Sequence, residues 1–172
     1  MADQFKKFNI STEMYNSAIA YAAKLGMLRG SIRFGKGNLT GFLGEEALLM
    51  LIPESKRINN YDYDFELNGK YIEVKSKQCS TEPLLHYDGS VVYTKNPQNA
   101  DVYVFFRIHK DTRSGWFCGW RSCKSFIKES MLLKSGDKDP ANGYVCKRSC
   151  WNMPYKDMRD LDSLKLFLGE ES

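Results

Sequence analysis

Apolar and polar positions alternate with strand period through residues 61–77, YDYDFELNGKYIEVKSK. Asn68-Gly69 lies at the centre, and an Asn-Gly pair flanked by alternation predicts a hairpin with a two-residue type I′ turn. That turn sets Leu67 opposite Lys70, Phe65 opposite Ile72, Asp64 opposite Glu73, Tyr63 opposite Val74 and Asp62 opposite Lys75. Side chains alternate across a strand, so Tyr63, Phe65, Leu67, Ile72 and Val74 are expected to face the core. Asp62, Asp64, Glu66, Glu73 and Lys75 share the other face. Directly opposed like charges are destabilising. Asp64 against Glu73 therefore calls for a cation, either Lys75 or, better, a divalent metal.

Helical spacing appears on both sides of a glycine-rich stretch. Residues 11–28 place Met14, Ala18, Tyr21, Ala22 and Leu25 on one stripe, with Ser11 or Thr12 as cap. Residues 28–38, LRGSIRFGKGN, are broken by Gly30, Gly35 and Gly37 and read as a loop carrying Arg29, Arg33 and Lys36. A second helix follows to Ile52, capped by Asn38 or Thr40 and stopped by Pro53. Its 47–52 portion is apolar on every side, which predicts burial. Glu45 and Glu46 sit at its head, and Gly41 and Gly44 allow close approach to a neighbour.

Beyond the hairpin, residues 76–78 continue the strand. Residues 79–100 read as loop with a short strand over 90–93, and His86 is a candidate substrate-side group. The run 101–108, DVYVFFRI, reads as a central strand buried on both faces, with 115–120 as its antiparallel neighbour. Ser122 is expected to open a helix to Leu133, packed through Phe126, Ile127, Met131 and Leu132. Residues 134–143 form a polar turn segment of the kind that tolerates insertion. A short helix closes the chain near residues 161–168.

Composition narrows the class. The 172 residues are 42% hydrophobic and 13% aromatic, which fits one folded domain with a sizeable core. The net charge of +4 is compatible with a nucleic-acid partner. No apolar run approaches the roughly 20 residues that a membrane helix needs. Five cysteines and no signal peptide point to a reduced, cytoplasmic setting.

Carboxylates that can hold Mg²⁺, with a lysine two residues on, form a pattern suited to phosphodiester hydrolysis. Asp64, Glu73-Val74-Lys75 and the upstream helix segment Gly41-Phe42-Leu43-Gly44-Glu45 resemble the PD-(D/E)xK nucleases. The likeness runs over about residues 41–120. It is nearest to small phage-encoded endonucleases and extends more distantly to Holliday-junction resolvases. It implies an α/β, restriction-endonuclease-like fold, a central mixed β-sheet flanked by helices. One nuclease domain would span 1–172, with an N-terminal helix and basic loop over 1–40, a catalytic core over 41–133 and a C-terminal extension over 134–172. It further implies a Mg²⁺-dependent DNA endonuclease, with Mn²⁺ able to substitute. Asp64 and Glu73 would hold the metal, Val74 would lend its carbonyl, Glu45 would complete the site and Lys75 would orient the attacking water. Arg29, Arg33, Lys36 and Lys77 would grip DNA phosphates, with Gln78 beside them. Cutting both strands of a duplex would imply a symmetric homodimer, and a phage protein would work in its bacterial host's cytoplasm.

Two other classes stay open. Cys118, Cys123, Cys146 and Cys150 pair as C-x4-C and C-x3-C, looser than the usual zinc spacing, and would suit a zinc-stabilised nucleic-acid-binding module. A nuclease fold that has lost catalysis and acts as a scaffold is the other.

Overall fold

The computed structural model describes residues 4–28 and 39–169. The basic-loop residues Arg29, Arg33 and Lys36, and the proposed cap Asn38, lie outside them. Helix α1 spans Thr12–Leu28 and α2 spans Leu39–Leu51. Ser11 caps α1, its Oγ accepting from Met14 N at 3.1 Å. Thr40 lies within the first turn of α2 and is not its cap.

A six-stranded mixed sheet forms the frame. In spatial order its strands are β1 (Lys6–Asn9), β7 (Ser114–Ser122), β6 (Val102–His109), β4 (Lys70–Cys79), β3 (Phe65–Leu67) and β2 (Lys56–Arg57). The central pair, β4 with β6, is parallel, and the other pairs of this sheet are antiparallel. The fold is α/β, as expected, and the 101–108 run is indeed a central strand with its antiparallel partner beside it. Residues Val102 to Phe106 are buried without interruption, because both faces of β6 are covered.

The two faces carry different cores. On one, α1, α2 and helix α4 (Leu161–Leu168) pack on Phe65, Ile72, Val74, Val104, Phe106 and Trp120. On the other, a second sheet of β5 (Asp88–Val92), β9 (Cys150–Pro154) and β8 (Met131–Leu133) lies over Tyr103 and Phe105, together with α3 (Cys123–Glu129). The chain beyond residue 134 thus supplies β9 to one core and α4 to the other. Among the described residues no helix is long and apolar enough to cross a membrane.

Two expectations are corrected. The helix opened by Ser122 ends at Glu129, because Ser130 turns extended and both its N–H and its Oγ bond Phe126 O. Residues 131–133 then pair with β9, leaving Met131 and Leu132 exposed and only Leu133 buried. Residues 134–143 form a largely exposed turn segment, with Lys134 N donating to Asp137 Oδ2 at 2.8 Å and Gly143 N to Asp139 O at 2.7 Å. Finally, Tyr63 does not face the core. It leaves the ladder and stacks on Tyr71, ring centroids 4.1 Å apart, because Asn60 Oδ1 draws the N–H groups of Asp62 and Tyr63 into a turn, each at 2.9 Å.

Candidate active site

The hairpin forms around the predicted turn. Asn68 and Gly69 adopt φ of 51° and 77°, as a type I′ turn requires. The register is Leu67 with Lys70 and Phe65 with Ile72. The tip is anchored to the C-terminus of α4, where Asn68 Nδ2 donates to Leu168 O at 2.8 Å and Lys70 Nζ to Phe167 O. These two carbonyls are among those that a helix end cannot satisfy internally.

The ladder stops at Phe65, and Asp64 explains why. Its carbonyl turns away to accept from Ile58 N and Asn59 N at 2.8 and 3.1 Å. Its N–H still donates to Ile72 O at 2.9 Å, but the next donor of the facing strand, Val74 N, is taken by the carboxylate, at 2.9 Å from Oδ2. The extension to Tyr63–Val74 and Asp62–Lys75 pairs therefore does not form; Asp62 Oδ1 accepts instead from Asn99 N at 3.1 Å.

Glu73 is 6% exposed. Its Oε1 accepts from Lys75 Nζ at 2.7 Å and from Gln98 Nε2 at 2.9 Å. No N–H or hydroxyl donates to its buried Oε2, a costly state for an ionised carboxylate, and the neighbouring Asp64 carboxyl is the group with which Glu73 can share a proton. Gln98 closes a small clamp: its Oε1 accepts from Lys75 Nζ at 2.9 Å, and its Nε2 also donates to Tyr61 O at 2.9 Å.

Glu45 reaches the same carboxylates from α2. That helix packs tightly on β4 through Gly44, where a Cβ would lie 1.8 Å from Ser76 Oγ. Gly41, by contrast, has open space where a Cβ would be. Arg57, on β2, bridges the two helix glutamates by donating through one guanidinium nitrogen to Glu45 and through the other to Glu46. Glu46 also accepts from Ser17 Oγ at 2.8 Å, which ties it to α1. Glu45 is the one that interacts with Asp64 and Glu73.

Burial pushes all three carboxyls up, with mutual repulsion as a further cause: Asp64 to about 6 and Glu73 and Glu45 each to about 7. Lys75 pulls Glu73 and Asp64 down, and Arg57 does so for Glu45, without overcoming desolvation. The result is a proton-sharing carboxylate cluster with a lysine clamped to it, a perturbed set of the kind found where chemistry is done.

The remaining candidates fall elsewhere. Lys77 follows Lys75 on the same face, but its Nζ is turned into a cleft, 2.5 Å from Ser90 Oγ. Gln78 is exposed. His86 lines that cleft, its ring against Tyr87. The cysteines divide: Cys118 is buried beside Tyr155 and Cys123 beside Tyr103, while Cys146 and Cys150 face each other at the cleft. Among the described residues no three His, Cys, Asp or Glu side chains form a ready-made metal cage.

Gln98 and Arg57 carry no mark in the sequence. Both act across long separations, and neither sits in a recognisable spacing. Compared with known proteins, the chain matches no family model, and no curated protein sequence is similar to it.

Proposed function

We propose that the protein is a metal-dependent endodeoxyribonuclease of restriction-endonuclease-like fold. The observation that carries the reading is Glu73. It is a buried carboxylate with one oxygen clamped by Lys75 and Gln98 and the other without an N–H or hydroxyl donor, facing two further carboxyls whose protons are held well above their usual range. The mixed sheet with helices packed on it is compatible with that fold.

The donor set fits a hard divalent cation. Mg²⁺ retains several waters and is commonly held by one or two carboxylates, so Asp64 and Glu73 suffice without a cage, and Glu73 Oε2 is a ready ligand. Val74 would lend its carbonyl and Glu45 would tune or complete the set, with Mn²⁺ able to replace Mg²⁺. When bound, the cation supplies positive charge to the phosphate and acidifies water at the site.

The chain's own residues supply the rest. Lys75 is held by Glu73 Oε1 and Gln98 Oε1, so its ammonium is fixed in direction. It orients the attacking water and offsets charge developing on the phosphate. Arg57 pairs with both helix glutamates, and Ser17 ties Glu46 to α1, so Glu45 is the helix carboxylate left facing the site. DNA is the proposed substrate, with Arg29, Arg33, Lys36 and Lys77 on its phosphates and Gln78 beside them. A homodimer is the arrangement in which two such sites would cut both strands of a duplex.

The test is incubation of supercoiled plasmid, and separately of a branched junction, with the protein in Mg²⁺, in Mn²⁺ and in EDTA. Cutting in either metal that disappears in EDTA and in Glu73→Ala supports the reading. Intact DNA in both metals would leave the inactive-scaffold reading in its place.

A further inference from the structure

Two residues along β4 from Lys75, the main sheet and the second sheet part around a cleft of about 380 Å³, within the size range of small-ligand pockets. Lys77 and Arg107 lie on it, directly opposite each other on the parallel strands β4 and β6. Arg107 is fixed by bonds from Nε to Tyr155 OH at 2.7 Å and from its terminal nitrogen to Asp88 O at 3.1 Å. Lys77 is braced by Ser90 Oγ and, at 3.4 Å, Asp88 O. Two half-buried cations are thus held together. Burial and the neighbouring Arg107 bring the Lys77 ammonium down to about 8, against the opposing pull of Asp88, Cys150 and Asp139.

Asp88 and Asp139 also line the cleft, and burial together with repulsion from Asp139 raises Asp88. Asp139 is 6% exposed and built in: Oδ1 accepts from Ala141 N at 2.8 Å, while Oδ2 meets Asn152 Nδ2 at 3.4 Å. Tyr87 and Tyr144 supply aromatic surface. The cleft therefore offers a paired cation, a paired carboxylate and flat apolar rings. A phosphate matches the first, an amino-bearing edge the second and a heteroaromatic ring the third.

Position adds to this. Lys77 is two residues beyond Lys75 on the same face, roughly 7 Å along the strand, a separation comparable with that of successive phosphates in an extended nucleic-acid strand.

We infer that this cleft is a nucleotide subsite, with the phosphate neighbouring the scissile one on Lys77 and Arg107 and its unstacked base against Tyr87 and Tyr144. The amino edge of the base is read by Asp88 and Asp139. The choice of a nucleotide rests on the nuclease reading, whereas the pairing of anion and amine chemistry in the cleft does not. A base can enter only from single-stranded or locally opened DNA, at the unstacking cost that base extrusion carries.

The test is calorimetric titration of the full chain in EDTA with dCMP, dAMP, dTMP and deoxycytidine, where no cleavage is possible. The expected results are that dCMP and dAMP bind roughly tenfold more tightly than dTMP, and that dCMP binds roughly tenfold more tightly than deoxycytidine. Lys77→Met, confirmed folded by circular dichroism, should lose the advantage of the phosphate. Asp88→Asn should lose the preference for amino bases. No mononucleotide binding, equal binding of dCMP and dTMP, or undiminished dCMP binding by Lys77→Met overturns the subsite. If dCMP binds as described while DNA stays uncut in Mg²⁺, the subsite stands and the nuclease reading falls. If DNA is cut but no mononucleotide binds, the reverse holds.

Discussion

Gly44 and Ser76 meet where α2 crosses β4: a Cβ on Gly44 would stand 1.8 Å from Ser76 Oγ and 3.1 Å from Ser76 Cβ. The missing side chain is what lets α2 come close enough for Glu45 to feel Asp64 and Glu73. Gly44→Ala forces a shift that rotation of the Ser76 hydroxyl relieves only in part. The expected cost is about 1–3 kcal/mol, as for other overpacked sites. Ser76→Gly should recover part of it in the double mutant, since Ser76 Oγ is buried and bonds nothing. Urea melts of the four proteins measure this, and additive losses would mean the two residues are not in conflict.

Glu73→Ala and Lys75→Ala should each reduce Mg²⁺-dependent DNA cleavage by about 100-fold or more, the scale of a positioned proton-transfer or charge-stabilising group. Gln98→Ala should cost less, roughly tenfold, because it removes the clamp and leaves both clamped groups. Plasmid nicking rates at saturating metal decide the matter. Wild-type rates in Glu73→Ala would remove that carboxylate from the site.

The metal-free protein is expected to lose stability as pH rises. Asp64, Glu73 and Glu45 bind protons more tightly folded than unfolded, so their contribution is fully present below about pH 4, near the ordinary carboxyl values. It is lost as pH climbs through about 6 to 7, where the folded-state groups ionise. Asp64→Asn deletes one of the repelling charges, and in EDTA at pH 8 it should melt a few degrees above wild type, about 2–4 °C per kcal/mol for a chain this size. Mg²⁺ at a hundredfold excess over its Kd should add about 2.7 kcal/mol to wild type and much less to the mutant. A lower melting temperature for Asp64→Asn in EDTA, with an equal gain from Mg²⁺, would make Asp64 a structural residue.

Arg57 holds Glu45 and Glu46 together and lies over the rings of Tyr21 and Phe65, at 4.4 and 5.1 Å from their centroids. Arg57→Met keeps much of the packing but strands two largely buried carboxylates. The expected loss is about 3–5 kcal/mol at pH 8, shrinking toward pH 5 as Glu45 takes up its proton. A loss that does not change with pH would assign the residue's role to packing alone.

Arg29, Arg33 and Lys36 are proposed to grip DNA phosphates. Their triple alanine variant should weaken DNA binding for all sequences alike, and the slope of log affinity against log salt should flatten by about 0.9 for each phosphate no longer neutralised. An unchanged slope returns the stretch to an ordinary solvated loop.

What the sequence determined by itself is what short-range chemistry dictates. Asn68-Gly69 specifies its turn because both residues must take positive φ, and the turn then sets the register through Phe65 and Ile72. The 101–108 run and its partner follow from continuous apolar character, and the closing helix from its pattern over 161–168, which the structure completes with a side-chain cap at Asp160 and a left-handed turn at Gly169. The acidic face of the hairpin was legible for the same reason, since alternation places Glu73 and Lys75 together. Tertiary structure decided the rest. Residues 131–133 are apolar enough for either a helix or a strand, and pairing with β9 made them a strand. Tyr63 left the ladder because Asn60 and the Asp64 carboxylate captured backbone donors that strand pairing would otherwise use. Gln98 and Arg57 reach the site from positions 25 and 12 residues away from Glu73 and Glu45, and no local pattern marks them. Lys77 reads as a surface lysine in the sequence, and the second sheet folding over it is what buries it. A residue's neighbours in a turn or on a strand are written in adjacent letters, whereas burial and its effect on charge depend on which distant segments close over it.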